Sequence, residues 1–417
     1  MPSTHNHLDV PFVRSCFPTF TTPLANKTAF FENAGGSYVA GPVLEKLMAF
    51  YQHNKVQPYG YAEILSTAGQ QMDAGRQTMA DLLGVDVATV TIGPSTTQNI
   101  NTLAFSCSSL VQKGSEVIVT DQDHEANIGA WQRLCERTGA KLKVWPVDAT
   151  NGELDIEQFL DLLSPATAIV CLTHSSNIVG TINPIEEVIS HCRPQGTRVV
   201  VDGVSYAPHQ WPDIPALLPD AYCFSTYKTY ATHLGVMYTS ADFNAQLDPQ
   251  CHYFNQPYPQ KTLDGAGPDH ASIAALDGLG NYFDHSYEHH FGKSAGSRYE
   301  KAQAVSALMH AHESELCEML LSGISDLPVR VVGKTNHHGR EANIAITSSK
   351  HSSSELSKML ATHDIAAGHG HFYALRLLQK IGIADTEDGV LRISFAHYNS
   401  PDDVERVVAA LQSALRS

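Results

Sequence analysis

The chain has 417 residues, of which 43% are apolar and 17% charged, which is typical of a globular protein long enough for two domains. Its formal net charge of −16 argues against nucleic acid or an anionic membrane as a partner, because binding to either requires clustered lysine and arginine. No apolar run is long enough to cross a bilayer, and residues 1–15 lack the pattern of a secretory signal. The eight scattered cysteines include no CxxC pair, which favours a reducing, cytoplasmic location without disulfides or a bound metal.

Residues 41–54 predict an amphipathic helix ahead of the first strand. The apolar side chains that recur at helical spacing form one stripe: Leu44, Leu47, Met48 and Tyr51. Such a stripe is typical of a helix that packs one face on a protein core.

Seven short runs rich in β-branched residues then alternate with helical segments. The runs are 88–93, 116–121, 141–148, 167–174, 197–203, 221–227 and 235–240. One intervening helix is predicted after Asn183, which can cap it, with Pro184 at the first helical position. This alternation is typical of an α/β fold with a largely parallel sheet covered on both faces, in which ligands bind beyond the carboxyl ends of the strands.

The pattern changes after the last of these strands. Residues 241–270 are rich in proline, glutamine, tyrosine and glycine and predict a long loop or lid. From about residue 275, long helices followed by short strands indicate a second, smaller α/β domain. We therefore expect an N-terminal segment at 1–28, a large cofactor-binding domain at 29–275 and a small C-terminal domain at 276–417.

Two of the predicted strand ends carry residues that suit a phosphorylated, planar ligand. Thr96 and Thr97 follow the first strand and precede a helical segment, where hydroxyls and backbone amides can bind an anion such as phosphate. His124 follows the second strand and could lay its ring flat on a planar ligand. An ordinary helix cap and a structural histidine are the alternative interpretations.

Two further strand ends present an acid and an amine. Asp202 ends a very apolar strand, where an uncompensated carboxylate is costly, so it should have a cationic partner or else cap a helix. Lys228 follows the next strand, and a desolvated lysine has a lowered pKa and can attack an aldehyde. An acid for a pyridinium nitrogen, an amine for an aldehyde and hydroxyls for a phosphate are what pyridoxal 5′-phosphate requires. The four strand ends together predict this cofactor.

From FFENAGGSYV near residue 30 to ISFAHYNSPDDVERVVAAL at the end, the sequence resembles the class V, fold-type I pyridoxal-phosphate enzymes of the cysteine desulfurase and selenocysteine lyase family. The subgroup with an SxYK lysine motif and a GxFYA segment is the most similar. The resemblance implies a large domain with a mainly parallel seven-stranded sheet, a small α/β domain and a homodimer, because sites of this fold form at subunit interfaces.

By this resemblance Lys228 matches the lysine that binds the cofactor aldehyde, Asp202 the partner of the ring nitrogen and His124 the stacking histidine. Other cofactor contacts are implied around the phosphate and the phenolic oxygen: Thr96, Thr97, Asn177, Ser205, Ser225 and Tyr227. Substrate contacts are implied at three positions: Asn33, His371 and Arg392. Arg392 matches the arginine that grips the substrate α-carboxylate, for which a bidentate guanidinium is well suited.

Four features depart from the desulfurase pattern. Tyr227 replaces the histidine that usually precedes the lysine, and Ser205 replaces a glutamine. Residues 365–378 match the loop that carries the nucleophilic cysteine but contain none, so Cys251 in the predicted lid is the one candidate for a relocated thiol. Gly267 replaces the threonine that many members lend to the phosphate of the other subunit.

Three functions are compatible with these residues. The first is β-elimination from cysteine or a cysteine derivative, with His369, His371 or Tyr373 as the acid for the leaving group. Transamination or racemisation of a small amino acid is the second, because both reuse Lys228 as a proton carrier and require no leaving group. The third is a non-catalytic accessory protein, against which the retained lysine, aspartate and histidine argue.

Overall fold

The computed structural model of the chain describes residues 7–416, so the first six residues of the predicted segment 1–28 lie outside the described part. The described residues form sixteen α-helices: α1 (Val10–Ser15), α2 (Pro23–Lys27), α3 (Gly41–His53), α4 (Glu63–Leu83), α5 (Thr96–Ser106), α6 (Ala126–Thr138), α7 (Ile156–Leu162), α8 (Ile185–Cys192), α9 (Ile214–Leu217), α10 (Ala241–Asn244), α11 (His270–Ala275), α12 (Asp277–Phe291), α13 (Arg298–Ile324), α14 (Ser353–Ala361), α15 (Leu375–Lys380) and α16 (Pro401–Arg416). They also form thirteen strands: β1 (Ala29–Phe30), β2 (Val90–Gly93), β3 (Glu116–Thr120), β4 (Lys141–Trp145), β5 (Thr167–Thr173), β6 (Arg198–Asp202), β7 (Ala221–Ser225), β8 (Gly235–Thr239), β9 (Val329–Val332), β10 (Asn343–Ser348), β11 (Ile365–Ala366), β12 (Gly368–Gly370) and β13 (Val390–Ser394).

The seven predicted strand runs form one seven-stranded sheet with the order β2-β8-β7-β6-β5-β3-β4. Only β8 runs antiparallel to its neighbours in this sheet. Successive residues of a strand point to opposite faces, and in β6 Val199 and Val201 enter one apolar cluster while Val200 enters another. Both faces of the sheet are therefore covered, as the continuous β-branched runs predict.

A second, antiparallel sheet of four strands has the order β12-β13-β10-β9. Its apolar cluster joins distant parts of the chain, since Phe31 packs with Ile344, Phe395 and Leu411. The short parallel pair of β1 and β11 brings residue 29 opposite residue 365. The region around residue 30 is thereby placed beside β13, where Glu32 forms an isolated bridge with Ser394.

The loop predicted at 241–270 is largely irregular, because beyond α10 residues 245–269 contain no α-helix or β-strand. Within residues 7–416, no helix combines the length and the apolar character needed to span a membrane. The predicted domain boundaries at 28/29 and 275/276 remain predictions.

The start of α8 differs from the prediction. The helix begins at Ile185 with Pro184 at its N-cap, so Asn183 does not cap it. Instead, the buried Asn183 amide donates to Gln122 Oε1 at 2.6 Å and to the carbonyl oxygen of Thr173 at 2.8 Å. The prediction was wrong because a buried amide must have its donors satisfied, and these acceptors lie at the ends of neighbouring strands.

Helix α3 is present as predicted, but its predicted apolar stripe is only partly buried, with Leu47 packed against the core. Met48 and Tyr51 are 54% and 50% exposed, whereas Val43 and Phe50 are fully buried. Helix α12 packs closely on the start of α3, where a Cβ on Gly278 would lie 2.4 Å from the carbonyl oxygen of Pro42. This glycine contact turns the Val43 side of α3 toward the core.

Candidate active site

A cavity lies at the carboxyl ends of the large-sheet strands. All nine residues predicted to contact the cofactor line it: Thr96, Thr97, His124, Asn177, Asp202, Ser205, Ser225, Tyr227 and Lys228. The parallel strands end at one edge of the sheet, which is why residues from five separate chain segments meet there. No cysteine is among the residues that line this cavity.

Lys228 lies in a single helical turn, Thr226–Lys228, that directly follows β7. Its Nζ is 5.9 Å from the centre of the Tyr227 ring. Burial, assisted by the positive charge of Arg392, lowers the pKa of Lys228 to about 8, although Asp202 and Glu32 act in the opposite direction. A substantial fraction of the amine is therefore neutral near physiological pH and able to act as a nucleophile or a base.

Asp202 is buried at the end of β6, where its Oδ1 accepts a hydrogen bond from the Val204 N–H at 2.9 Å. Burial raises the pKa of Asp202 to about 6, while this hydrogen bond and the charge of Lys228 partly counteract the effect. Among residues 7–416, Asp202 forms no ion pair with a lysine or arginine, and Lys228 acts on it through its charge alone, so the need for a direct cationic partner is not met within this part of the chain. A protonated ring nitrogen would meet that requirement.

The ring of His124 is fixed just before α6 by a hydrogen bond in which Nδ1 accepts the Ala126 N–H at 3.1 Å. In the neutral ring the proton is therefore assigned to Nε2. Burial lowers the pKa of His124 to about 4, with Lys228 and Arg392 contributing, so the imidazole is uncharged at neutral pH. A neutral, flat ring suits stacking on an aromatic ligand.

Asp123, next to His124, was not identified from the sequence. It is buried, with Asn127 Nδ2 donating to its Oδ1 at 2.8 Å and the Thr120 hydroxyl donating to its Oδ2. Burial raises the pKa of Asp123 to about 8, and the nearby Asp202 contributes to the increase. The signal in the sequence was weaker than for Asp202, because Asp123 lies three residues beyond the end of β3 whereas Asp202 is the last residue of β6.

The hydroxyl side chains of Thr96 and Ser225 lie next to each other in the cavity lining. Thr96 Oγ1 and Ser225 Oγ are both buried and 2.8 Å apart. Helix α5 begins at Thr96 and is capped by Ser95, whose Oγ accepts the Gln98 N–H at 3.1 Å. Hydroxyls and amides at a helix N-terminus form the predicted anion site, to which Ser95 is an addition.

The predicted substrate arginine lies on β13 and is buried. Arg392 Nη2 donates to Glu32 Oε1 at 2.8 Å, and Nη1 donates to the carbonyl oxygen of Asn177 at 3.4 Å. The guanidinium carbon is 3.7 Å from the centre of the Phe372 ring. Asn177 also uses its side chain here, because Nδ2 donates to the carbonyl oxygen of Phe372 at 2.8 Å. Neither Glu32 nor Phe372 was identified from the sequence.

Asn33 lines a small cavity together with Ser205 and Lys228, and its side chain is held by hydrogen bonds within the protein. Its buried amide donates to the carbonyl oxygen of Ser394 at 2.9 Å and to Asn399 Oδ1 at 3.2 Å, and its Oδ1 accepts the Tyr398 hydroxyl. These contacts favour a structural role, and its substrate contact remains only a prediction.

The three candidate acids differ in their surroundings. His369 is exposed, with Nδ1 3.3 Å from the carbonyl oxygen of Asp388. The Nδ1 of His371 accepts the Tyr373 N–H at 3.0 Å. Tyr373 has its ring centre 5.1 Å from that of His124, which places it beside the cavity. Cys251 is half-buried in the loop after α10 and does not line the cavity.

Residues 29–407 match the family model of class V aminotransferases. The chain belongs to the class V aminotransferase family. An aminotransferase-like protein of Gibberella zeae is 32% identical, over 97% of this chain and 98% of its own. A probable cysteine desulfurase of Vibrio cholerae is 29% identical, over 98% and 99%. The structure of a cysteine desulfurase from Thermococcus onnurineus, 21% identical, matches 100% of both chains with a TM-score of 0.86.

The fold-type I architecture, with its mainly parallel large sheet, is confirmed by this structural match. Membership of the class V aminotransferases confirms the predicted enzyme class and the predicted cofactor, pyridoxal 5′-phosphate. The cavity fits that cofactor, because it combines an amine of lowered pKa, a buried acid without a cationic side-chain partner and a set of hydroxyls.

Proposed function

We propose that this protein is a desulfurase-like C–S lyase that releases the sulfur group of cysteine or a cysteine derivative. The observation that carries the proposal is the single cavity that joins Lys228, Asp202 and the hydroxyl residues, with Arg392 linked to it through Asn177. The similarity to a probable cysteine desulfurase supports cysteine as the substrate class.

When bound, pyridoxal 5′-phosphate supplies an electron sink next to the substrate α-carbon. We assign the phosphate to the hydroxyls of Thr96, Thr97 and Ser225. The neutral ring of His124 would hold the cofactor by stacking. Asp202, as a carboxylate, would hold the ring nitrogen of the cofactor in its protonated form.

The remaining residues act on the substrate. Arg392 orients the amino acid through its carboxylate, and the neutral amine of Lys228 removes the α-proton. Loss of sulfur from the β-carbon requires an acid for the leaving group. Tyr373 is the best placed of the three candidates, because its ring centre is 5.1 Å from that of His124. His369 instead contacts the Asp388 carbonyl oxygen through Nδ1.

Transamination or racemisation of a small amino acid is the second candidate. It is favoured by the absence of cysteine from the cavity lining and by the similarity to an aminotransferase-like protein. Transfer of an amino group to a keto acid would distinguish transamination, and loss of optical activity without net conversion would distinguish racemisation.

The test is incubation of the holoenzyme with cysteine, cysteine sulfinate and S-substituted cysteines, with pyruvate and alanine as the measured products. We expect pyruvate from elimination, no product with the Lys228→Ala variant, and unchanged turnover with Lys113→Ala, which removes an exposed lysine. The proposal fails if neither product forms from any of these compounds.

We also propose a homodimer in a reducing, cytoplasmic compartment. Large aromatic side chains are exposed at Tyr61, Tyr253 and Phe254, by 109%, 83% and 59%, which supports a protein surface that covers them. All eight cysteines are free, which supports the reducing compartment. Sedimentation equilibrium that gives the mass of one chain at micromolar concentration would contradict the dimer.

A further inference from the structure

The carboxylate of Glu32 is bound to the arginine assigned to the substrate. Its Oε1 is 2.8 Å from Arg392 Nη2, and its Oε2 accepts the Gly368 N–H at 2.6 Å. The arginine side chain is 3% exposed and that of Glu32 is 29% exposed. An ion pair this sheltered from water is screened less than a surface pair.

Two glycines make room for this carboxylate. A Cβ on Gly368 would lie 2.3 Å from Glu32 Oε2, and a Cβ on Gly35 would lie 2.9 Å from Oε1. Either methyl group would displace the carboxylate oxygens from their present positions. The backbone is therefore shaped around the Glu32 carboxylate, which indicates a resident group.

Two of the five N–H donors of the Arg392 guanidinium are already used within the protein, and its charge is paired. Glu32 occupies Nη2, the carbonyl oxygen of Asn177 lies at Nη1, and the Phe372 ring covers one face. Only Nε is buried without a hydrogen-bond partner. The positive charge is already matched, so an arriving carboxylate meets a neutral pair and the negative charge of Glu32.

We propose that Glu32 is a specificity-determining residue, an internal counter-ion of Arg392 that weakens the preference of the site for a substrate carboxylate. The inference rests on the proposed function, in which Arg392 receives the carboxylate of an amino acid. A site with a free arginine strongly favours a carboxylate over a carboxamide of the same size. With Glu32 in place, this site accepts both with similar affinity.

The experiment compares two probes that lack an amine and cannot react with the cofactor, propionate and propionamide. Their dissociation constants for the holoenzyme are measured by ligand-observed NMR. The carboxylate preference is the dissociation constant of propionamide divided by that of propionate. We expect Glu32→Gln to raise this preference by about tenfold or more, through tighter propionate binding alone, because a repelling charge next to the arginine is removed.

Gly368→Ala is the second variant, and it keeps the test valid if Glu32→Gln does not fold. Its new methyl group displaces the Glu32 carboxylate from the backbone amide, so the preference rises in the same direction. Glu116→Gln is the matched control. Glu116 is the first residue of β3, at the end of the strand opposite the cavity, and its carboxylate is paired with Lys143. We expect its replacement to leave the carboxylate preference unchanged.

The visible absorbance band of the bound cofactor and the thermal midpoint are recorded first for each protein. If no variant and no wild-type preparation shows the band, the proposed function fails and this inference fails with it. If the band is present, an unchanged carboxylate preference in Glu32→Gln overturns the inference alone. Equal changes in the affinity of both probes would also overturn the inference, because they would indicate that the shape of the site has changed and not its charge.

Discussion

The nucleophilic role that we propose for Lys228 depends on its position at the end of a buried strand. Burial first, and the charge of Arg392 second, lower its pKa to about 8, so the neutral amine predominates above that pH and is lost below it. We expect the rate of pyridoxal-phosphate uptake by the apoprotein to rise with pH, with a midpoint near about 8, as measured by stopped-flow absorbance. Asp202→Asn removes a charge that raises the pKa of Lys228, so its midpoint should lie at lower pH. A midpoint that stays above 10 in both proteins would contradict this assignment.

The segment after β12 shows how one element can complete a site built by others. Phe372 and Tyr373 have φ angles of 46° and 60°, which non-glycine residues rarely adopt. The carbonyl oxygens of both residues accept hydrogen bonds from the large-sheet side, from Asn177 Nδ2 and from the Glu125 N–H, each at 2.8 Å. The surrounding contacts thus hold an unfavourable backbone conformation beside Arg392.

An ion pair between Arg376 and Glu125 reinforces this segment, with Nε 3.1 Å from Oε2. Because the pair is partly exposed, Arg376→Gln should cost only about 0.2–1 kcal/mol, equivalent to a roughly 1.4- to fivefold faster amide exchange of the segment. Hydrogen-exchange mass spectrometry of the 370–376 peptide is the measurement. Arg330→Gln, which removes a bond to the Ile381 carbonyl instead, should leave that peptide unchanged. Equal exchange in both variants would show that the ion pair does not hold the segment.

The contact between α4 and α11 depends on one glycine. A Cβ on Gly75 would lie 1.9 Å from the carbonyl oxygen of Ile273, so Gly75→Ala should lower the free energy of unfolding by about 1–3 kcal/mol. Gly265→Ala is the matched control, because a Cβ there meets nothing within 4 Å and its φ is not positive. Urea unfolding midpoints measure the difference. Similar urea midpoints for the two variants would contradict the prediction, because they would mean that α4 and α11 can move apart without loss of unfolding free energy.

At the scale of the whole molecule, the sequence was sufficient to predict the large sheet and to name nine residues that line the cavity at its edge. The seven predicted runs all form strands, although β7 contains no β-branched residue and β4 is only partly buried, and each residue predicted to contact the cofactor stands at or near the end of a strand or in a family motif. The sequence was insufficient where distant segments meet. The Glu32–Arg392 pair joins residues 360 positions apart, and the orientation of α3 is decided by Gly278. Neither contact leaves a periodic pattern along the chain.

The arrangement of the chain into segments 1–28, 29–275 and 276–417 remains our proposal. The pairing of β1 with β11 and the cluster around Phe31 join the chain near residue 30 to the four-stranded sheet. The arginine that we propose as the substrate contact therefore comes from one sheet and the proposed cofactor residues from the edge of the other, with Asn177 in contact with Arg392 between them.

The central claim is that the cofactor is joined to the amine that follows β7. Reduction of the holoenzyme with borohydride fixes a pyridoxyl group on the lysine that holds the cofactor, and peptide mass spectrometry locates it. The account predicts the added mass on the peptide that contains Lys228 and its loss in Lys228→Ala. Modification of a different lysine, or none after incubation with pyridoxal 5′-phosphate, would contradict it.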